Sequence, residues 1–474
     1  MLRLFALLIL ALPLTCADAG SLDLQAKIYS PLRDAPPWNG NPAYPAASYF
    51  GSALSVSGAT AAIMEREPFG ETFLRLYERD ANGHWSTAQS ILPPADLSPF
   101  LKAGFGGRHA LDGDRLAVAL SHPSSPSPQV IVFEKIAGTW QESARIAGQP
   151  YAAFNGSFGE GGVALSGDTL AVGSPGNSPG AFGAVHVFTL QGGAWVLQQR
   201  VQETDPYPAA NFGYNLRLQG DRLVVNRPGA RYEEYASHGV YVFDRSNGAW
   251  SQQAKITQPP PPTPGAYIIG YFGISLALDG ARLVILDQEM RDIGGSGAPF
   301  DVARVYERAP GGQWPLTASL DTGAIHQGNP APTVSVALRD TRLLVGQVYL
   351  QNDLYAGTVP KVFLFEHDGA AWSGARTLSP YDWELGWVDG ADVKVRYGVG
   401  FGDHVNQMGG IAFDDRGAAL IAASNDGLVV PLQMNSNPPG TVYVLTDSDG
   451  LFCDGFQSNG PRCDGAPLAQ PPQH

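Results

Sequence analysis

The chain has 474 residues, with 44 acidic against 30 basic side chains and a formal net charge of −14. That balance argues against a phosphate backbone as partner, so no nucleic-acid role is expected. Charged residues make up only 16%, while Gly (57) and Pro (38) are abundant, a composition suited to many short strands joined by turns.

Residues 1–19 read as an export signal. Arg3 supplies a positive start, Leu4 to Leu14 is an almost purely apolar run, and Ala17-Asp18-Ala19 has the small-x-small pattern of a cleavage site. The mature chain is expected to begin at Gly20, in the periplasm, at the cell surface or secreted. Cys16 raises lipidation as an alternative, although Pro13-Leu14-Thr15 before it is a poor lipidation box. The apolar run is too short to span a bilayer, and no later run reaches 18 apolar residues, so no transmembrane segment is expected.

From residue 50 onward the chain repeats. Trp85, Trp140, Trp195, Trp250, Trp314 and Trp372 follow one another at steps of 55, 55, 55, 64 and 58 residues, the mark of a supersecondary unit copied along the chain. Copies begin at Phe50-Gly51, Phe105-Gly106, Phe158-Gly159, Phe212-Gly213 and Phe272-Gly273. Each contains four short runs rich in Val, Leu, Ile, Phe and Tyr. The third alternates with period two, as in Val240 and Val242 against Tyr241 and Phe243, and no stretch sustains a helical period. Gly-Asp or Asp-Gly between the first two runs signals a tight hairpin. One copy is therefore a four-stranded antiparallel meander. The sixth copy has Pro332-Thr333 in place of Phe-Gly but keeps Val336 to Gly346, Lys361 to Phe365 and Trp372.

The seventh copy has Phe401-Gly402, then Ile411 to Ser424 and Thr441 to Leu445, and stops without a Trp-bearing fourth strand. The missing strand is found at the other end of the chain. LQAKIYSP, residues 24–31, matches QQAKITQP, residues 252–259, the fourth strand of copy four. Residues 22–29 are thus expected to complete the seventh sheet and close the array, which removes a terminal edge. The expected fold is all-β: a seven-bladed β-propeller over residues 20–445, with the N-terminal strand closing the last blade. An open β-solenoid is the alternative, but it would not need a displaced strand.

Phe-Gly at the blade start, Val172 to Pro175 (VGSP) in place of Gly-Ala-Pro, and the G-x-V-x-V-F strand resemble the FG-GAP repeats of the integrin α-chain propeller and its bacterial relatives. The likeness covers roughly residues 21–445. It implies an extracellular, ligand-binding propeller and implies no catalytic residues. Integrin-type blades often carry a calcium loop between the first two strands. Here that connection is a tight Gly-Asp turn with too few oxygens for a calcium shell, so no metal or other cofactor is carried over. Asp447, Asp449 and Asp454 miss the spacing of known calcium loops and read as a solvated acidic linker.

In such a blade the first-to-second and third-to-fourth turns share one face, where they are short and Gly-rich. The opposite face carries the long insertions: Asn226 to His238, Asp287 to Asp301 and Gln347 to Pro360. Long loops on a rigid scaffold are where binding is expected. The largest departure is Pro380 to Gly398, where Trp383 and Trp387 stand outside the ladder among Tyr381, Asp382, Glu384, Asp389 and Asp392. They are candidates for a ligand platform, with packing of the inter-blade seam as the plainer role. Tyr232, Tyr235, Tyr349 and Tyr355 are weaker candidates on the same face.

No H-E-x-x-H motif occurs, and His109 and His404 beside Phe-Gly starts read as structural. The expected function is non-catalytic binding or adhesion by a monomeric propeller that recognises an extracellular protein or glycan. The alternative is a propeller-fold glycoside hydrolase or lyase whose loop carboxylates meet at the central channel. Residues 446–474 leave the repeat as an extended tail. Cys453 and Cys463 are expected to pair as a disulfide in an oxidising compartment.

Overall fold

The computed structural model describes residues 22–29, 50–66, 72–122, 127–148, 158–176, 182–206, 211–228, 238–260, 267–268, 272–293, 296–325, 335–347, 361–378, 394–396, 410–423, 427–429 and 441–447. It is a seven-bladed β-propeller. The innermost strands are Leu54–Ser57, His109–Asp112, Val163–Ser166, Leu216–Gln219, Leu276–Asp279, Ser335–Arg339 and Ile411–Phe413. Each lies beside the next, and Ile411–Phe413 lies beside Leu54–Ser57, so the ring is closed. Blades are numbered 1 to 7 in that order.

Blade 4 shows the common pattern. Leu216–Gln219, Arg222–Arg227, Gly239–Ser246 and Ala249–Ile256 pair antiparallel in sequence order. The inner hairpin turns on Gly220 (φ +55°), and Gly58, Gly113, Gly167 and Gly280 hold the same left-handed position in blades 1, 2, 3 and 5. Asp340 (φ 49°) takes it in blade 6. The outer hairpin turns on two left-handed residues, Asn247 and Gly248, the geometry that matches strand twist. Second strands are covered by a blade on each side, so Leu223, Val224 and Val225 are all fully buried. The outermost strand is half exposed and alternates.

Blade 7 is completed as the sequence implies. Leu22–Tyr29 pairs antiparallel with Thr441–Asp447, from Leu22↔Asp447 to Tyr29↔Thr441. The core is then a ring of seams, each cluster drawn from two neighbouring blades. One of them joins Ile28, Phe50, Leu54 and Ile63 to Leu420, Ala422, Val442 and Val444, across the point where the two chain ends meet.

The Phe-Gly repeat has a packing cause. Phe50, Phe105, Phe158, Phe212 and Phe272 are buried, at 0 to 4% exposure. The glycine after each turns with φ from +73° to +92° and presses on the preceding blade. A Cβ on Gly213 would stand 2.7 Å from the Ala184 carbonyl oxygen, and one on Gly51 would stand 2.9 Å from the Ala422 Cβ.

One expected loop is regular structure instead. Asp287 to Asp301 lies within a long hairpin of blade 5, Arg282–Ile293 against Ser296–Glu307, paired from Arg282↔Glu307 to Ile293↔Ser296. Its polar side chains pair with one another inside the sheet. Arg304 Nε meets Asp287 Oδ2 at 2.9 Å and also pairs with Glu289, while Gln288 Nε2 donates to Asp301 Oδ1 at 2.7 Å. Among the described residues no helix is long and apolar enough to cross a membrane.

Candidate functional site

Five of the seven seams are stitched on the short-turn face in the same way. The last side chain of one inner strand accepts the backbone N–H of the next blade's turn. Ser57 takes Gly113 at 2.9 Å, Asp112 takes Gly167 at 2.6 Å, and Ser166 takes Gly220 at 3.0 Å. Gln219 takes Gly280 at 2.8 Å and Asp279 takes Asp340 at 2.6 Å. Between blades 6 and 7 the equivalent residue is Arg339, which cannot accept. It donates instead to the Asp415 carbonyl at 2.8 Å.

A second rule changes at the same seam. The ladder tryptophans pack toward the preceding blade: Trp140 joins the blade 1–2 cluster, Trp250 the 3–4 cluster and Trp314 the 4–5 cluster. An arginine of that preceding blade covers two of them, Arg222 over Trp314 at 5.3 Å and Arg282 over Trp372 at 5.1 Å. In blade 7 the ladder position falls on Leu22, a smaller side chain, which joins the blade 6–7 cluster. The outermost strand of blade 6 is also short, Arg376–Leu378, and Trp372 lies before it, paired with His367 through an isolated bridge.

At this seam a cavity of about 660 Å³ opens. Trp372 and Phe413 form its apolar wall. Arg339, Arg342 and Arg416 face it with Asp340, Glu366, Asp368 and Asp415. Arg342 Nε holds Glu366 Oε1 at 3.2 Å. Backbone N–H groups of Ala371 and Ala370 donate to Asp368, and they hold its carboxyl below the ordinary range. The site thus offers donors, acceptors and an aromatic edge. The sequence signals were present, Leu for Trp and Arg for Ser, Asp or Gln, but each stands out only once the seams are aligned.

The central channel, about 280 Å³, is lined by all seven inner strands. Among the described residues no carboxylate lines it, so the arrangement expected of a channel glycosidase is not assembled there. Asp287 and Glu289 are near neighbours, and burial pushes Asp287 up to about 6. Both are committed to Arg304 inside blade 5 rather than to a cavity. A Ser–His contact also exists, Ser174 Oγ to His186 Nδ1 at 3.2 Å, and both residues are buried. Burial, aided by the Arg200 charge, lowers His186 to about 4. A general base needs an acidic partner to orient it and stabilise its charged form, and a neighbouring arginine does the reverse. His109 is fully buried, with Nδ1 at 2.7 Å from the Gly106 carbonyl and Nε2 at 3.2 Å from the Ala62 carbonyl, a structural role.

Trp383, Trp387, Tyr381, Tyr232, Tyr235, Tyr349 and Tyr355 lie outside the described residues, as do His404 and the Cys453–Cys463 pair.

No family model matches the chain, and no curated protein matches it. Propeller-like solved structures do. An acylaminoacyl peptidase in complex with Z-Gly-Gly-Phe-chloromethyl ketone is 12% identical with a TM-score of 0.42, over 83% of this chain and 51% of the other. The chain therefore spans about half the length of that peptidase. A candidate 6-phosphogluconolactonase from Bacteroides fragilis is 14% identical (TM-score 0.38), over 69% of this chain and 83% of the other. Another from Bacteroides uniformis is 12% identical (TM-score 0.38), over 68% and 83%. These likenesses concern architecture alone. They do correct one expectation, that the chain is not an enzyme: propellers similar to it are described as enzymes. Blades bring side chains together across long stretches of sequence, so a lack of short catalytic motifs does not mark a non-enzyme.

Proposed function

We propose that the chain is an exported propeller of FG-GAP, integrin α-like type that binds a glycan, and that the blade 6–7 cavity is where it does so. The cavity carries the reading. Sugars present hydroxyls that both donate and accept, together with C–H faces that lie on aromatic rings. A pocket of about 660 Å³ with arginines, carboxylates, Trp372 and Phe413 meets those needs. Its size is that of a small-ligand pocket rather than a flat protein interface. The apolar first 19 residues, with Arg3 ahead of them and Ala17-Asp18-Ala19 behind, support export.

The test is a glycan array probed with purified mature protein, followed by titration of the hits against variants. Arg416 is exposed, so Arg416→Ala should leave melting unchanged and weaken the hit about tenfold, the worth of one lost charge-assisted hydrogen bond. Binding that ignores Arg416→Ala and Phe413→Ala, yet is lost in the Trp383→Ala/Trp387→Ala double variant, would move the site to the long-loop face. A hydrolase panel on the same preparation decides whether a bound glycan is also turned over.

A further inference from the structure

One register position of the inner strand carries a small side chain in six of the seven blades. Ala110, Ala164, Ala277, Ala337 and Ala412 occupy it in five blades and Ser55 in blade 1, all in the same register with the second strand. Blade 4 has Arg217 there, opposite Val224, on the wall of the central channel. Among the described residues its guanidinium is engaged through Nη1, which donates to Asn215 Oδ1 and to the Leu216 carbonyl, each at 2.9 Å. Asn215 is itself anchored, donating to the Ile274 carbonyl at 2.8 Å. Among the described residues no carboxylate pairs with Arg217. By contrast, the arginines that begin the second strands each hold a carboxylate: Arg115 with Glu134, Arg222 with Asp244 and Arg282 with Glu307.

A second guanidinium stands at the start of another inner strand. Arg108 immediately precedes the inner strand of blade 2, and its Nε is buried with no acceptor among the described residues. Its charge acts on Glu160 and on Tyr214, three residues before Arg217, so its field reaches the start of blade 4's inner strand. The Ser55 Oγ on the channel wall is likewise buried without a partner among the described residues.

We propose that the central channel is an anion site, in which Arg217 holds a compact oxyanion of the carboxylate, phosphate or sulfate class. Arg217 is a half-buried guanidinium with no carboxylate partner among the described residues, although a chain with an excess of acidic residues could readily have supplied one. Nε and Nη2 of Arg217 form the planar fork that two oxygens of such an anion accept. The channel volume suits a small ligand, and the narrow ring of alanines leaves room for it beside one long side chain. Burial lowers Arg217 to about 10, so it remains cationic at neutral pH, and burial lowers Arg108 as well.

The site is independent of the blade 6–7 cavity, and its test uses the whole mature chain. Thermal melting is followed against sodium phosphate, sulfate and acetate, with sodium chloride at equal ionic strength as control. At least one oxyanion should raise the melting temperature saturably beyond chloride, and calorimetric titration should return one site. Arg217→Ala restores the residue that five other blades carry, and it should weaken that site at least tenfold. Arg217→Gln, which keeps length and polarity without charge, serves if the alanine variant fails to fold. No saturable response to any of the three anions, or the same affinity in the Arg217 variant, overturns the proposal.

Discussion

Glycines that open the blades hold their φ values because nothing larger fits between one blade and the last. Gly213 combines φ +92° with a backbone oxygen 2.7 Å from where a Cβ would sit. Gly213→Ala is therefore expected to cost more than about 2 kcal/mol, since left-handed strain and a backbone clash add. Urea unfolding measures it, and a loss below half that figure would mean the seam relaxes freely. Histidine burial gives a pH dependence. His186 sits near 4 in the folded chain, against 6.5 for the free side chain. The folded state thus binds fewer protons than the unfolded state between those values, and stability falls as pH drops through that window. The contribution is roughly 3 kcal/mol when complete. His186→Gln should flatten this acid limb in unfolding curves taken from pH 7 to pH 4, and an unchanged slope would assign it to other groups.

At the scale of the element, the outermost strands do more than cap the sheets. In blade 1, the Gln89 side chain exchanges two hydrogen bonds with the backbone of Trp140 on blade 2, both at 2.8 Å. Gln199 of blade 3 does the same to Trp250 of blade 4, at 2.9 and 2.8 Å. The ladder is therefore a clasp as well as a core contact. Gln199→Ala should lower stability by about 1–2 kcal/mol, because two backbone groups at the seam lose their partners. Trp250→Ala removes a side chain only 4% exposed and should cost on the order of 3–5 kcal/mol. Calorimetric melting ranks the two. Equal losses would mean that the hydrogen bonds, not the buried ring, hold the seam.

For the whole molecule, stability depends on a strand that comes first in the chain and last in the ring. Deleting residues 20–30 should strip the outermost strand from blade 7 and expose the edge of Thr441–Asp447 to other chains. Aggregation or loss of a single cooperative melting step is expected by light scattering and calorimetry. A monodisperse truncation with unchanged melting would show that Leu22–Tyr29 closes nothing. Closure also explains why blade 7 differs from the rest. Its outermost strand comes from the chain start and is not preceded by a Gly-turn and Trp, so Leu22 fills the ladder position. The altered seam is a consequence of how the ring is sealed.

The sequence by itself determined the blade count, the order and type of the strands, the left-handed turns and even the closing strand. LQAKIYSP could be matched to QQAKITQP residue by residue. Those features are local and repeated, so each copy reports on the others through its period of two, its turn glycines and its tryptophan. Tertiary structure decided what happens between blades. Leu22 and Phe413 lie nearly the whole chain apart, yet they share the cluster at whose edge the blade 6–7 cavity opens. Arg217 looks like any surface arginine in LRLQ until the register sets it level with alanines on a channel wall that has no carboxylate among the described residues. The polar run from Asp287 to Asp301 reads as a loop because only pairing shows that its charges cancel across one hairpin. Repetition carries the fold in short range, whereas a site depends on distances between copies, and those are set by how the seams pack.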